Sequence, residues 1–302
     1  MAKPFLKWVG GKTQILENVL ALFPTDLTNY HEPFVGGGSV LLGLLTEIQE
    51  GHRTLSGTVY ASDANPRLIS LYKHIQSNPT ALIERLRIYQ TEYGAIQVLS
   101  GTKTPATLDQ AKTSQESYYY WIRSQFNSTP DITTLDAAAM FIFLNKTGFK
   151  GVYRENKQGT FNVPFGHYKK TPVLFEEENL LAISQLIQHV VFQCQQFETS
   201  LAKAIQGDFV YLDPPYAPEQ TTSFTAYQGD GFSKESHESL FRLTRELTTK
   251  QVGFVMSNSD VPFVRQAFPS PPYTLYTVIA RRAIHRNDPS TQTKEVLITK
   301  EA

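Results

Sequence analysis

The apolar positions of this 302-residue chain alternate between helix-like and strand-like stretches at its two ends and turn helical in the middle. Over residues 12 to 23, Ile15, Leu16, Val19, Leu20 and Phe23 recur at helical spacing until Pro24 stops the pattern. A second helix is predicted with Ser39 as N-cap and Val40, Leu41, Leu44, Leu45 and Ile48 as its buried face. The run TVYASD (58 to 63) reads as a short buried strand. Asn65 and Pro66 read as the N-cap and first position of a helix carrying Leu68, Ile69, Tyr72 and Ile75. The alternation returns with DFVYLD (208 to 213) as a strand, residues 234 to 249 as a helix and VGFVM (252 to 256) as another strand. The runs TLYTVIA (274 to 280) and EVLIT (295 to 299) have no helical pattern between them, which predicts a terminal antiparallel hairpin.

The middle differs. Leu82, Ile83, Leu86, Tyr89 and Tyr93 form one helical stripe, and residues 95 to 116, rich in Thr, Ser and Gln, read as a loop or weak helix. Ser117 to Phe126 and Leu135 to Leu144 predict two more helices, with Tyr118, Tyr119, Tyr120 and Trp121 as packing residues. From Asn145 to Pro172 the chain is Gly-rich, basic and aromatic. A helical insert in a split α/β domain is the simplest organisation.

A hydrophobic content of 41% with 12% aromatics argues against a disordered chain, and no apolar run reaches the roughly 20 residues of a membrane span. The N-terminus lacks the apolar core of a secretory signal. Cys194, the single cysteine, leaves no internal disulfide and no multi-cysteine zinc site, and the seven histidines show no HExxH spacing. The expectation is a cytoplasmic enzyme without a metal. The formal net charge is zero, which at face value argues against nucleic acid. Its distribution argues the opposite. Residues 1 to 16 carry +3, residues 145 to 172 carry +5, and Arg281, Arg282 and Arg286 cluster in the predicted hairpin loop, either to grip phosphates or as plain surface charge.

Three segments carry candidate chemistry. GGKT (10 to 13) has the ending of a phosphate-binding loop, but Leu6 stands where that loop needs a glycine, so the reading fails. EPFVGGGSV (32 to 40) leads three glycines into a helix start, where a ligand can approach the backbone. Leu41 occupies the third glycine position of a dinucleotide fingerprint. Asp63, at the end of the next predicted strand, is placed to bind ribose hydroxyls, so the pair points to an adenosine-containing ligand. Asp213-Pro214-Pro215-Tyr216 follows a strongly apolar strand, where ligands bind in open α/β sheets. Its prolines hold the chain extended. The Asp213 carboxylate and Pro214 carbonyl then form an oxygen pair for both hydrogens of an exocyclic amine. Tyr216 supplies a flat face for a planar base.

FLKWVGGK (5 to 12), EPFVGGGSV, SDANPRLISLY (62 to 72), NKTGFKGVYR (145 to 154), GTFNVPFGHYKK (159 to 170) and LDPPYAP (212 to 218) come in an order that resembles the Dam family of DNA adenine-N6 methyltransferases, which act on GATC. The resemblance spans nearly the whole chain. It implies an α/β fold: a Rossmann-like methyltransferase sheet ending in an antiparallel hairpin, plus an inserted helical DNA-recognition domain with a β-hairpin. The expected division is residues 1 to 75 and 171 to 302 for the catalytic domain and 76 to 170 for the insert. The implied cofactor is S-adenosyl-L-methionine and the implied partner double-stranded DNA, with no membrane, metal or obligate protein partner. By motif, Trp8, Lys12, Phe34, Gly36, Gly38, Asp63 and Asp213 would bind the cofactor, and Asp213, Pro214, Pro215 and Tyr216 would form the catalytic motif. Lys7 would contact the outer guanine, Arg154 the O6 and N7 of a guanine, and Val152 and Pro164 a thymine methyl. Phe149 stands where the family often has tyrosine, filling the gap of an extruded base. Lys150 replaces a common neutral amide, and His167 a frequent arginine, both at backbone contacts. A methyltransferase acting on RNA or a protein amide, and a non-catalytic DNA-binding relative, are the alternative readings.

Overall fold

The computed structural model describes residues 2–218, 232–281 and 292–300. The chain forms two compact units: Gly11–Ala64 with His189 onward, and Ala2–Gly10 with Asn65–Gln188.

The first unit is built on a seven-stranded sheet. Its strands are β1 (Tyr30–Glu32), β2 (Val59–Asp63), β3 (Val190–Cys194), β4 (Phe209–Leu212), β5 (Gly253–Ser259), β6 (Tyr273–Arg281) and β7 (Gln292–Lys300). Their order across the sheet is β3-β2-β1-β4-β5-β7-β6. Strands β1 to β5 run parallel, and β7 runs antiparallel to both neighbours, β5 and β6, which completes the expected terminal hairpin. Strand order reverses between β1 and β4, the switch point at which open α/β sheets bind ligands beyond the carboxyl ends of their strands.

All four residues of β4 are buried, as a central parallel strand covered on both faces requires. β1 is just as buried but reads Tyr-His-Glu. It tolerates that place because its polar groups are paired: Tyr30 Oη donates to Glu32 Oε2 at 2.6 Å, and His31 Nε2 meets Asp208 Oδ2 at 2.9 Å. The helix Lys234–Thr249 matches its predicted span. Ser233 caps it by accepting from Ser236 N, and it buries His237, Leu240, Phe241, Thr244 and Leu247 along one stripe. The sequence pattern over residues 12 to 23 yields less helix than expected, a 3-10 turn Lys12–Gln14 and a five-residue helix Leu16–Leu20. The start of this segment is held instead through Lys12, whose backbone N–H donates to Ser39 Oγ at 3.0 Å.

The second unit is helical. Helices Pro66–Ser77, Pro79–Ala95, Gln115–Ser128 and Glu177–Leu186 surround Leu135–Thr147 or one another. Leu135–Thr147 is buried nearly all round, as the central helix of such a cluster must be. Asn65 caps its helix as expected, accepting from Arg67 N and Leu68 N, with Pro66 behind it. Tyr118, Tyr119 and Tyr120 are buried packing residues. The unit is wider than the insert boundaries 76 to 170: it also takes in the helices on either side and the N-terminal segment. The segment after Thr147 contains two isolated antiparallel bridges, Gly148↔Phe165 and Glu155↔Phe161, rather than the expected hairpin ladder. Pro164 has no N–H to donate, and Lys150 and Gly151 sit at φ +53° and +68°, so strand pairing is interrupted there.

Candidate active site and base-reading loop

In the first unit the loops leaving β1, β2 and β4 meet. Lys12, only 3% exposed, places its Nζ 2.7 Å from Asp213 Oδ1, directly after β4. Burial pushes the Asp213 carboxyl above the ordinary carboxylate range, while the charge and hydrogen bond of Lys12 pull it back down. Lys12 Nζ also lies 4.7 Å from the centre of the Tyr216 ring. Tyr216 Oη donates to Glu295 Oε2 at 2.7 Å, and the next residue, Ala217, donates its N–H to Asn258 Oδ1 at 3.0 Å. The segment after β4 is therefore held by residues from β5, β7 and the N-terminal turn. Pro214 is buried and Pro215 exposed. Neither Glu295 nor Asn258 was marked by sequence reading. Asn258 lies in the polar end of its strand, Ser257-Asn258-Ser259, and Glu295 just before the apolar run of its own, and only strand order brings them beside Ala217 and Tyr216.

The glycine loop is equally ordered. Val35 N–H donates to Ser62 O at 2.9 Å, and Gly36 N–H to Asp63 Oδ2 at 3.1 Å, so the loop after β1 is tied to the end of β2. Gly36 and Gly38 adopt φ +46° and +72°, which side chains other than glycine rarely do. Gly38, not Ser39, is the N-cap of helix Ser39–Gln49, and Ser39 spends its hydroxyl on Lys12 N–H. Phe34 packs against Phe197 and Phe232, with ring centres 5.5 and 5.9 Å away. Lys12 is thus joined to Asp213 and, through Ser39, to the start of the helix after the glycine loop, which Gly36 ties to Asp63, while Phe34 packs on Phe197 and Phe232. Beneath it Glu32 is fully buried, and burial raises its carboxyl to about 8, with Asp213 adding to the rise.

Trp8 and the predicted base-reading residues belong to the second unit. Trp8 stacks 6.4 Å from Phe141 and 6.3 Å from Tyr153. Asn145, at the end of the central helix, clamps the backbone of Lys7: its Oδ1 accepts from Lys7 N at 2.9 Å and its Nδ2 donates to Lys7 O at 2.7 Å. The same Nδ2 donates to Gly151 O at 3.0 Å. Lys7 Nζ donates to Lys146 O at 3.0 Å and lies 4.1 Å from the Tyr168 ring centre. Phe149, Lys150, Arg154, Pro164 and His167 are exposed, and Val152 is half-buried. Arg154 Nε donates to Asn162 Oδ1 at 2.7 Å. One face of helix Gln115–Ser128 grips the segment Phe161–Val163 at four-residue intervals. Tyr119 Oη and Arg123 Nη1 donate to Val163 O at 2.8 and 2.9 Å, and Asn127 exchanges two hydrogen bonds with Phe161. Arg281 has no described side chain, and Arg282 and Arg286 lie outside the described residues.

Among the described residues no group of three or more His, Cys, Asp or Glu is placed to hold a metal ion, and no helix is long and apolar enough to cross a membrane. The donor set fits S-adenosyl-L-methionine: a carboxylate at the end of β2, a glycine loop in left-handed conformations and a helix N-terminus at a switch point.

Comparison with known proteins agrees. The model of the D12 class N6 adenine-specific DNA methyltransferases matches residues 8–284. Type II methyltransferase M.MjaIII of Methanocaldococcus jannaschii is 36% identical over 291 residues, covering 94% of this chain and 93% of its own. A DNA adenine methylase of Haemophilus influenzae is 32% identical over 268 residues, covering 88% of this chain and 82% of its own. The rRNA methyltransferase aviRa of Streptomyces viridochromogenes, at 15% identity, covers 95% of this chain and 82% of its own with a TM-score of 0.37, too distant to argue from. With a family match over nearly its full length and a site suited to the methyl donor, this chain belongs to the D12 class of N6 adenine-specific DNA methyltransferases and uses S-adenosyl-L-methionine.

Proposed function

We propose that this protein methylates N6 of adenine in the duplex sequence GATC, after rotating the target base out of the helix. The observation that carries the reading is the buried Lys12–Asp213 ion pair at the carboxyl end of β4, beside the Tyr216 ring. The target amine is paired within duplex DNA, so reaching it requires extrusion of the base. Asp213 and the Pro214 carbonyl accept the two N6 hydrogens and draw the nitrogen lone pair out of conjugation. Tyr216 stacks on the ring, and Pro215 keeps the segment extended. Lys12 holds Asp213 as the carboxylate that this role needs. Bound S-adenosyl-L-methionine supplies a methyl group activated on a sulfonium; Lys12, Phe34, Gly36, Gly38, Asp63 and Asp213 of the first unit are its proposed contacts. Catalysis is positioning and electrostatics throughout.

Lys7 contacts the outer guanine, and Arg154 meets a guanine O6 and N7, with Asn162 fixing the inner side of the guanidinium. Val152 and Pro164 take a thymine methyl, Phe149 fills the vacated stack, and Lys150 and His167 contact the backbone. The test is transfer of labelled methyl from S-adenosyl-L-methionine to duplex GATC oligonucleotides, single-stranded RNA and a scrambled duplex. Labelling of the GATC duplex, lost in Asp213→Ala with the fold intact, supports the reading. Preferential labelling of RNA, or full activity in Asp213→Ala, overturns it.

A further inference from the structure

β7 sets Glu295 opposite Ser259 of β5 and Val278 of β6, two strands across the sheet from β4. Its Oε2 nonetheless reaches Tyr216 Oη at 2.7 Å. Burial, with Asp213 and Glu295 adding to it, holds the Tyr216 hydroxyl well above its ordinary pKa, so it remains a donor throughout the working range. The half-buried phenol is held at its tip by this carboxylate acceptor. Lys12 Nζ, 4.7 Å from the ring centre, constrains the same side chain at a second place, and Asn258 Oδ1 pins the following backbone N–H.

We propose that Glu295 is a positioning residue for methyl transfer: by holding the Tyr216 hydroxyl it fixes the plane on which the target adenine stacks. The proposal rests on the base-stacking reading of Tyr216 and gives the terminal hairpin a part in the reaction. A fixed ring matters because the amine must meet the methyl group in line, and small misplacements there reduce the rate of transfer steeply.

The test compares Glu295→Ala, Glu295→Gln, Tyr216→Phe and the Glu295→Ala/Tyr216→Phe pair. It reads kcat and KM on a GATC duplex and the fluorescence of 2-aminopurine at the target position. Glu295→Ala is expected to lower kcat roughly tenfold with little change in KM, and to alter the 2-aminopurine signal. Glu295→Gln, which keeps an acceptor oxygen, restores most of kcat, and the pair is no slower than Tyr216→Phe alone. Wild-type kcat in Glu295→Ala, or a loss that adds in full to that of Tyr216→Phe, overturns the positioning role and leaves the enzyme reading standing. Should Glu295→Ala fail to fold, Tyr216→Phe decides, because its untethered ring must show the kcat loss. Wild-type protein that leaves duplex adenine unmethylated overturns both readings together.

Discussion

Lys12 and Asp213 show how one pair can serve both the fold and the chemistry. Burial raises the Asp213 pKa, and Lys12 lowers it by charge and by hydrogen bond. Lys12→Met removes the lowering influence, so the carboxyl protonates at higher pH. An activity that needs the carboxylate then fails earlier on acidification. The acidic limb of the kcat/KM profile is expected to move to higher pH in Lys12→Met, and an unmoved limb would show that Asp213 is not the titrating group. At the proposed reading loop, Arg154→Ala is expected to cost ~1–3 kcal/mol of discrimination, about 5- to 150-fold in kcat/KM. The cost should appear only on the intact site: a duplex carrying 7-deazaguanine at the read position should show almost none of it. Equal losses on both substrates would mean that Arg154 reads no base.

At the scale of elements, β1 explains both what the sequence reveals and what it hides. β4 and the helix Lys234–Thr249 are legible because burial follows apolarity in one and a helical stripe in the other. β1 escapes such reading, since three polar-tipped residues occupy a central strand and only their partners make them compatible with it. β3 escapes for a different reason: it is an edge strand of five residues with a mixed burial pattern. The Asp213–Tyr216 motif and glycine loop were readable because turn chemistry is local. Glu295, Asn258, Asn145 and Asn162 were not, because their partners lie far away in sequence or across a turn. The burial of Glu32 in β1 has a measurable consequence. Burial raises Glu32 to about 8 from an ordinary 4.5, so the folded state keeps a proton that the unfolded chain has lost. Stability contributed by this group therefore falls as pH rises from the unfolded value to about 8, and then levels off. Glu32→Gln is expected to flatten the decline, raising the melting temperature at pH 8 more than at pH 5. A parallel loss of stability across that range in both proteins would contradict it.

For the molecule as a whole, zero net charge hides a basic segment at residues 145 to 172, which carries +5 and forms part of the second unit with Lys3 and Lys7. DNA affinity should fall linearly with the logarithm of salt concentration. Lys150→Ala is expected to reduce that slope by about one and to weaken GATC and scrambled duplexes alike, as a phosphate contact does. A loss confined to GATC would make Lys150 a base reader instead. Family membership establishes adenine-N6 chemistry on DNA, and the proposed base contacts of Arg154 and Lys7 would narrow it to GATC. The most direct measurement of that claim is expression in a bacterium free of DNA methylation, followed by sequencing of its genome for modified adenines. N6-methyladenine at GATC sites, absent when Asp213→Ala is expressed, is the predicted result; methylation at another motif would contradict the specificity, and none at all would contradict the account.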